Sequence, residues 1–288
     1  MRRLTLAAVV IGSLVTLAAG AWFTSWTSPR SYVPKAAMDT DRLMSARRYD
    51  ELLSTHPRPY VVKRSIGSGQ AVVFGATHTK DPKDPQLTRL REEWDALKPT
   101  VALVEGRPSG PLAALRDPVA NFGESGLVVS LARRAPWEGG CAIYSWEPDR
   151  AWEVSTMLAK FPKERVALFY ILRPYVSDLR HGKPANPDAV LEATRAKRSK
   201  WPGLEGAIDS VAAVDAIWKR DFAGLPDWRD TSDAYGWPGY LREISEVSRD
   251  LRTANMAAAI LELTAQGERV FVVCGSSHAV RAEPVLMP

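Results

Sequence analysis

The sequence predicts an α/β protein with a largely parallel central sheet flanked by helices, on three observations. Short, almost wholly apolar runs such as "TVALVEG" and "RVFVVCG" have the composition of strands covered on both faces. Stretches of helical periodicity alternate with them. The apolar runs also end on polar residues, as in "AVVFGATHTK" and "RVFVVCGSSHAV", and each of these two endings carries a Gly-x-x-His.

The chain opens on "MRRLTLAAVVIGSLVTLAAGAW", two arginines ahead of an uncharged apolar run, which is the layout of an export leader. Residues 1–21 read either as a signal peptide, with Ala19-Gly20-Ala21 as a small-residue cleavage site, or as an uncleaved membrane anchor, since about 20 apolar residues span a bilayer. Both readings export the body, to the periplasm, to the outer face of the membrane or into the medium. Residues 22–58 are polar and carry several prolines, so they read as a tether with a short helix around Asp41 to Leu53.

From residue 59 to 288 the pattern is that of an α/β domain. "YVVKR" and "QAVVFG", joined by Ile66-Gly67-Ser68-Gly69, read as two strands and a glycine turn. In "DPQLTRLREEWDALKP", Asp84 caps a helix that Pro85 opens, Leu87, Leu90, Trp94 and Leu97 share one face, and Pro99 stops it. "TVALVEG" then completes a strand, helix, strand unit. A helix near Gly126 to Arg134 and the strand "CAIYSW" follow. A mainly helical cap insertion is expected over about 153–240, including a loop in which Trp228 and Trp237 anchor the chain to a core. A long helix from Leu241 to Leu261 precedes Gly267 and the last strand.

The net charge of +5 does not indicate a nucleic-acid partner, because the basic residues are interleaved with acids. The densest cluster, Arg195, Lys197, Arg198 and Lys200, reads as a solvated helix face. The N-terminal segment is the feature that points to membrane association. Two cysteines, Cys141 and Cys274, lie in apolar surroundings, compatible with one bridge or with two buried thiols.

In open α/β sheets ligands bind beyond the carboxyl ends of the parallel strands. Reading each apolar run to its end gives His78, Glu105, Glu147 with Arg150, and His278. A glycine three residues before each histidine lets the chain turn sharply or approach a ligand closely. Two imidazoles and a carboxylate, here His78, His278 and Glu105, make a usual ligand set for a divalent ion such as Zn, Mn, Fe or Co. Without a metal, a His or Glu works as general base, Arg150 or Arg252 steadies an oxyanion, and the other His serves as acid. Both readings lead to hydrolysis. No His-Glu-x-x-His, Walker loop or serine-hydrolase elbow is present in the sequence.

The ordered set "GATHTKDPKDPQLTRLREEWDALKPTVALVEGRP", "FGESG", "SWEPDR", "RTANMAAAI" and "VFVVCGSSHAV" resembles the TraB, GumN and Tiki superfamily, remotely related to erythromycin esterases and the ChaN lipoproteins. The resemblance covers about Val72 to Glu147 and Leu241 to Val280. It implies an active centre built from the Gly-x-x-His pair and the glutamates, with divalent-metal-dependent proteolysis in the Tiki members. By motif match it implies roles for His78, Glu105, Glu124, Arg252, Asn255 and His278. Ser276 and Ser277 depart from the family's small aliphatic residue beside the last histidine, and both Arg249 and Arg252 precede Asn255.

The expectation is therefore an exported hydrolase of amide or ester bonds, acting on a peptide, ester or small-molecule substrate. His78, Glu105 and His278 would hold a divalent metal (Mn, Co, Zn or Fe), and Glu124 or Glu147 would be the general base. Arg150, Arg252 and Asn255 complete the expected centre. The alternatives are a haem- or iron-binding protein of the ChaN kind without turnover, and a catalytically degenerate envelope scaffold.

Overall fold

The strands, in chain order, are β1 (Arg30–Ser31), β2 (Tyr60–Ile66), β3 (Gly69–Ala76), β4 (Val101–Val104), β5 (Ala142–Ser145) and β6 (Arg269–Gly275). They form one sheet in the order β1-β5-β4-β6-β3-β2, parallel throughout except for the edge strand β2. The α-helices are α1 (Ala46–Leu52), α2 (Gln86–Leu97), α3 (Pro118–Arg133), α4 (Arg150–Leu158), α5 (Lys163–Asp178), α6 (Pro187–Arg198), α7 (Val211–Asp221), α8 (Gly239–Ala265) and α9 (Ser276–Leu286). The computed structural model describes residues 25–231 and 236–287, so the leader expected over residues 1–21 lies outside the described residues. No helix among the described residues is long and apolar enough to cross a membrane.

Two compact units are present, one from the chain up to Glu147 together with the chain from Thr253, the other from Pro148–Arg252. The first holds the whole sheet. Strand alternation explains how both of its faces are covered, because successive side chains point to opposite sides. Val72, Phe74, Ala102, Val104, Phe271 and Val273 join Leu87, Leu90 and Trp94 of α2 and Val128 of α3 in one core. Their neighbours Val73, Val101, Leu103, Val270 and Val272 join Met256 and Ile260 of α8 and Ala279, Ala282 and Leu286 of α9 in the other. Burying one such side chain is worth about 1.5–3 kcal/mol, so the continuous apolar runs follow from a sheet wetted on neither face.

The second unit has a core of its own. Val154, Leu168, Ile171, Leu172, Leu191, Val214 and Leu241 gather there, and Trp228 and Trp237 are part of it, as the anchoring role expected of them requires. The basic cluster closes the last turn of α6, where the Arg195 guanidinium is paired with Glu192 and Arg198 stacks on Trp201.

Register places the site. Ala76 is level with Gly275, and Val104 with both Val273 and Ser145, so β3, β6, β4 and β5 all release the chain at one edge. The hairpin that feeds β3 turns at Gly67, whose φ of 57° is the left-handed value such a two-residue turn demands.

Three local expectations are corrected. The segment over 25–58 is not a free tether: Trp26, Leu43 and Tyr49 are buried, β1 pairs with β5, and Met44 N–H donates to the Arg281 carbonyl. The short helix around Asp41 to Leu53 splits into a 3-10 turn over Thr40–Arg42 and α1, because Ser45 caps a new start by accepting from Arg48 N–H. Helix α3 begins well before Gly126, at Pro118, with Asp117 accepting the amides of Val119 and Ala120, and it kinks at Gly123. The chain after Gly275, to which the sequence reading assigns no element, enters α9 at once, so His278 sits in the first turn of a helix.

Candidate active site

Beyond Ala76 the backbone is pinned from two sides before it reaches α2. The Gln86 side chain accepts Thr77 N–H at 3.0 Å and donates to the Thr77 carbonyl at 2.6 Å. Gln86 is itself oriented by Asp84, whose carboxylate accepts both its backbone and its side-chain N–H groups. Two residues further on, Thr79 N–H donates to Glu124 Oε1 at 2.6 Å, a short charge-assisted bond to a carboxylate whose side chain is only 6% exposed. A buried carboxylate needs such a partner.

His78 lies between these two pins. Its Nδ1 is 3.7 Å from Glu124 Oε2 and its Nε2 is 3.9 Å from Glu105 Oε2. The imidazole is 38% exposed, more open than either acid. Glu105 follows β4 directly and its Oε2 accepts Gly275 N–H at 2.9 Å, which ties the end of β4 to the end of β6. The helix that delivers Glu124 does so through its kink. Gly123 has φ 60° and ψ −152°, a conformation confined to glycine, and the Thr79 carbonyl lies 3.1 Å from where its Cβ would stand.

The histidine of the second motif has a different environment. His278 is 5% exposed, its Nδ1 shares a 2.7 Å hydrogen bond with Thr253 Oγ1, and its ring meets the edge of Trp146 at 5.0 Å between centroids. Trp146 Nε1–H donates to the Val273 carbonyl, and Asn255 donates to the Trp146 carbonyl. Asn255, half-buried, and His278, buried, thus belong to a brace joining α8 and α9 to the ends of β5 and β6. Glu147 N–H donates to Ser145 Oγ just beyond β5. Arg150 and Arg252 fall in the second unit, where Arg150 opens α4 and stacks its guanidinium 4.1 Å from the Trp201 ring centroid, while Arg252 is buried at its C-terminal end.

The structure therefore brings together His78, Glu105 and Glu124. These residues do not suit a single shared ion, because the two carboxylates face opposite nitrogens of one ring and a metal on either nitrogen would reach one of them. Among the described residues no three His, Cys, Asp or Glu side chains are arranged to hold a metal ion. The expected set of His78, Glu105 and His278 is not assembled as a ligand cluster. Both cysteines are free thiols, Cys274 buried and Cys141 partly so, and burial together with the nearby Glu268 carboxylate pushes the Cys141 thiol up to about 12.

What the trio can do follows from proton bookkeeping. A neutral imidazole offers one N–H and one lone pair, so it faces one of its two carboxylates with the lone pair. On accepting a proton it presents an N–H to each. Two carboxylates within 4 Å of the ring would favour a positive charge on it. Sequence reasoning missed Gly123, Thr79, Thr253 and Trp146. The trace of the first is its place in "FGESG", a glycine pair that can mark a kink in a helix. Comparison with family models, with curated proteins and with solved structures finds no match to the chain.

Proposed function

We propose that the protein hydrolyses an ester or amide bond by general acid–base catalysis at His78, with Glu105 and Glu124 holding the imidazole and balancing its charge. One observation carries the reading: a solvent-open imidazole with a carboxylate within 4 Å of each ring nitrogen, at the edge where four parallel strands end. His78 would take a proton from an attacking water and return it to the leaving group. Two carboxylates beside the base repel a phosphate or sulfate ester and suit a neutral or cationic substrate. The order of the motifs, which resembles that of the TraB, GumN and Tiki proteins, supports hydrolysis as the reaction class, and the N-terminal leader pattern supports an extracytoplasmic place of work.

The test is turnover of a panel of nitrophenyl esters and fluorogenic peptides by the purified protein, with and without chelator. His78→Ala is expected to lower kcat by about 10²–10⁴, the usual share of a positioned acid–base group, and chelator to leave the wild type unchanged. Activity that chelator abolishes and Mn, Co or Zn restores would replace this reading with the metal-dependent one. A haem absorbance in the purified protein, without turnover, would favour the binding-protein reading instead.

A further inference from the structure

The two Gly-x-x-His glycines are not there for the backbone. Gly275 has φ −61° and ψ 145°, which any residue adopts, and Gly75 lies inside β3 in regular register with Tyr60 and Cys274. Space is the remaining reason, and the two glycines make room for different things. A Cβ on Gly275 would stand 2.9 Å from His78 Nε2, 3.5 Å from Cε1 and 3.8 Å from Cδ2, so its three nearest neighbours all belong to one imidazole. A Cβ on Gly75 would meet Ala279 Cβ at 2.7 Å, the Tyr60 carbonyl at 2.9 Å and Ser276 Cα at 3.0 Å, which is the first turn of α9. Each motif's glycine thus admits the other motif: Gly75 seats the helix that carries His278, and Gly275 seats the ring of His78.

We propose that Gly275 is the positioning residue of His78. Its bare Cα is the surface on which the imidazole rests, and its N–H, 2.9 Å from Glu105 Oε2, fixes the carboxylate that faces the same ring nitrogen. One peptide therefore sets both sides of the His78 to Glu105 distance. The proposal rests on the reading of His78 as the acid–base group only for its effect on turnover; the contact itself is independent of it. It also explains the glycine. The strand must release a residue without a side chain where a neighbouring strand's histidine folds back.

The experiment is Gly275→Ala in the full chain, read first by the imidazole NMR signals of His78 and their pH titration. Because the added methyl meets only the far end of a partly exposed side chain among its three nearest atoms, the variant is expected to remain folded. The His78 ring signals and titration midpoint should move, while those of His56 and His181 stay. Turnover should fall at least tenfold in kcat with KM little altered. A His78→Ala, Gly275→Ala double variant guards against a merely destabilised fold: without the ring the added methyl has room, so the double variant should melt as His78→Ala alone does. Unchanged His78 signals in Gly275→Ala, or a loss of melting temperature that persists when the ring is absent, would overturn the proposal. Shifted His78 signals in a protein with no measurable hydrolysis would uphold the positioning role and sink the hydrolase reading.

Discussion

Glu124 is the side chain at which charge, burial and position meet. It is almost wholly buried, one oxygen takes the Thr79 amide and the other faces His78. Glutamine keeps an oxygen for the Thr79 N–H and keeps the volume, but it removes the negative charge that the proposed mechanism sets against a protonated His78. Glu124→Gln is therefore expected to fold normally and to lower kcat by about 10–10³-fold, in the direction seen when the acid behind a catalytic histidine is neutralised. A stopped assay at saturating substrate measures it, and a variant as active as wild type removes Glu124 from the mechanism. Glu105 was legible from the sequence because it closes an apolar strand. Glu124 was legible only through the resemblance, since nothing in "NFGESG" says which strand end its carboxylate will reach.

Helix α3 shows how an element serves the site by departing from regularity. Its N-terminus is capped by Asp117 and opened by Pro118, both ordinary helix starts. The break at Gly123 then turns the helix at the residue before Glu124. An alanine there must adopt a backbone that only glycine holds without strain, and its methyl approaches the Thr79 carbonyl. Gly123→Ala is expected to cost about 1–3 kcal/mol of stability, read from the shift in a urea midpoint at unchanged slope. If the variant matches wild type, the kink is not a strained feature. A helix start near Gly126 was the natural reading, because the apolar residues become dense only after the glycines. The earlier turns are recognisable once Asp117-Pro118 is taken as a cap.

Across the whole molecule, contacts between distant parts of the chain tie its N-terminal part to the C-terminal helices α8 and α9. Tyr32 donates to Glu262, and Tyr60 donates to Glu283 at 2.6 Å. Burial first, then the bond to and the charge of the partner carboxylate, push both phenols up to about 12. The sign is set by the unfolded chain, where a tyrosine ionises near its ordinary value of about 10. Between those values the unfolded state releases a proton that the native state keeps, so stability present below pH 10 is lost as pH rises toward 12. Tyr60→Phe should start less stable at pH 8, by about 1 kcal/mol for the lost hydrogen bond, and should lose stability less steeply above pH 10. Parallel wild-type and variant curves across that range would contradict the assignment.

By itself the sequence determined the layering: apolar runs with no polar face require a sheet covered on both sides, and the glycine turn and capped helix fix the hairpin and the first crossover. It also located strand-end residues, because leaving a parallel sheet is a local event that the pattern records. Only the tertiary structure decided which of those residues meet. His78 faces Glu105 and Glu124, while the chain after β6 enters α9 immediately and puts His278 against Thr253 and Trp146. Strand order and the identity of a helix's neighbours are long-range packing choices. They leave no periodic mark on the chain, and the only local sign of them here is a glycine where another element must come close.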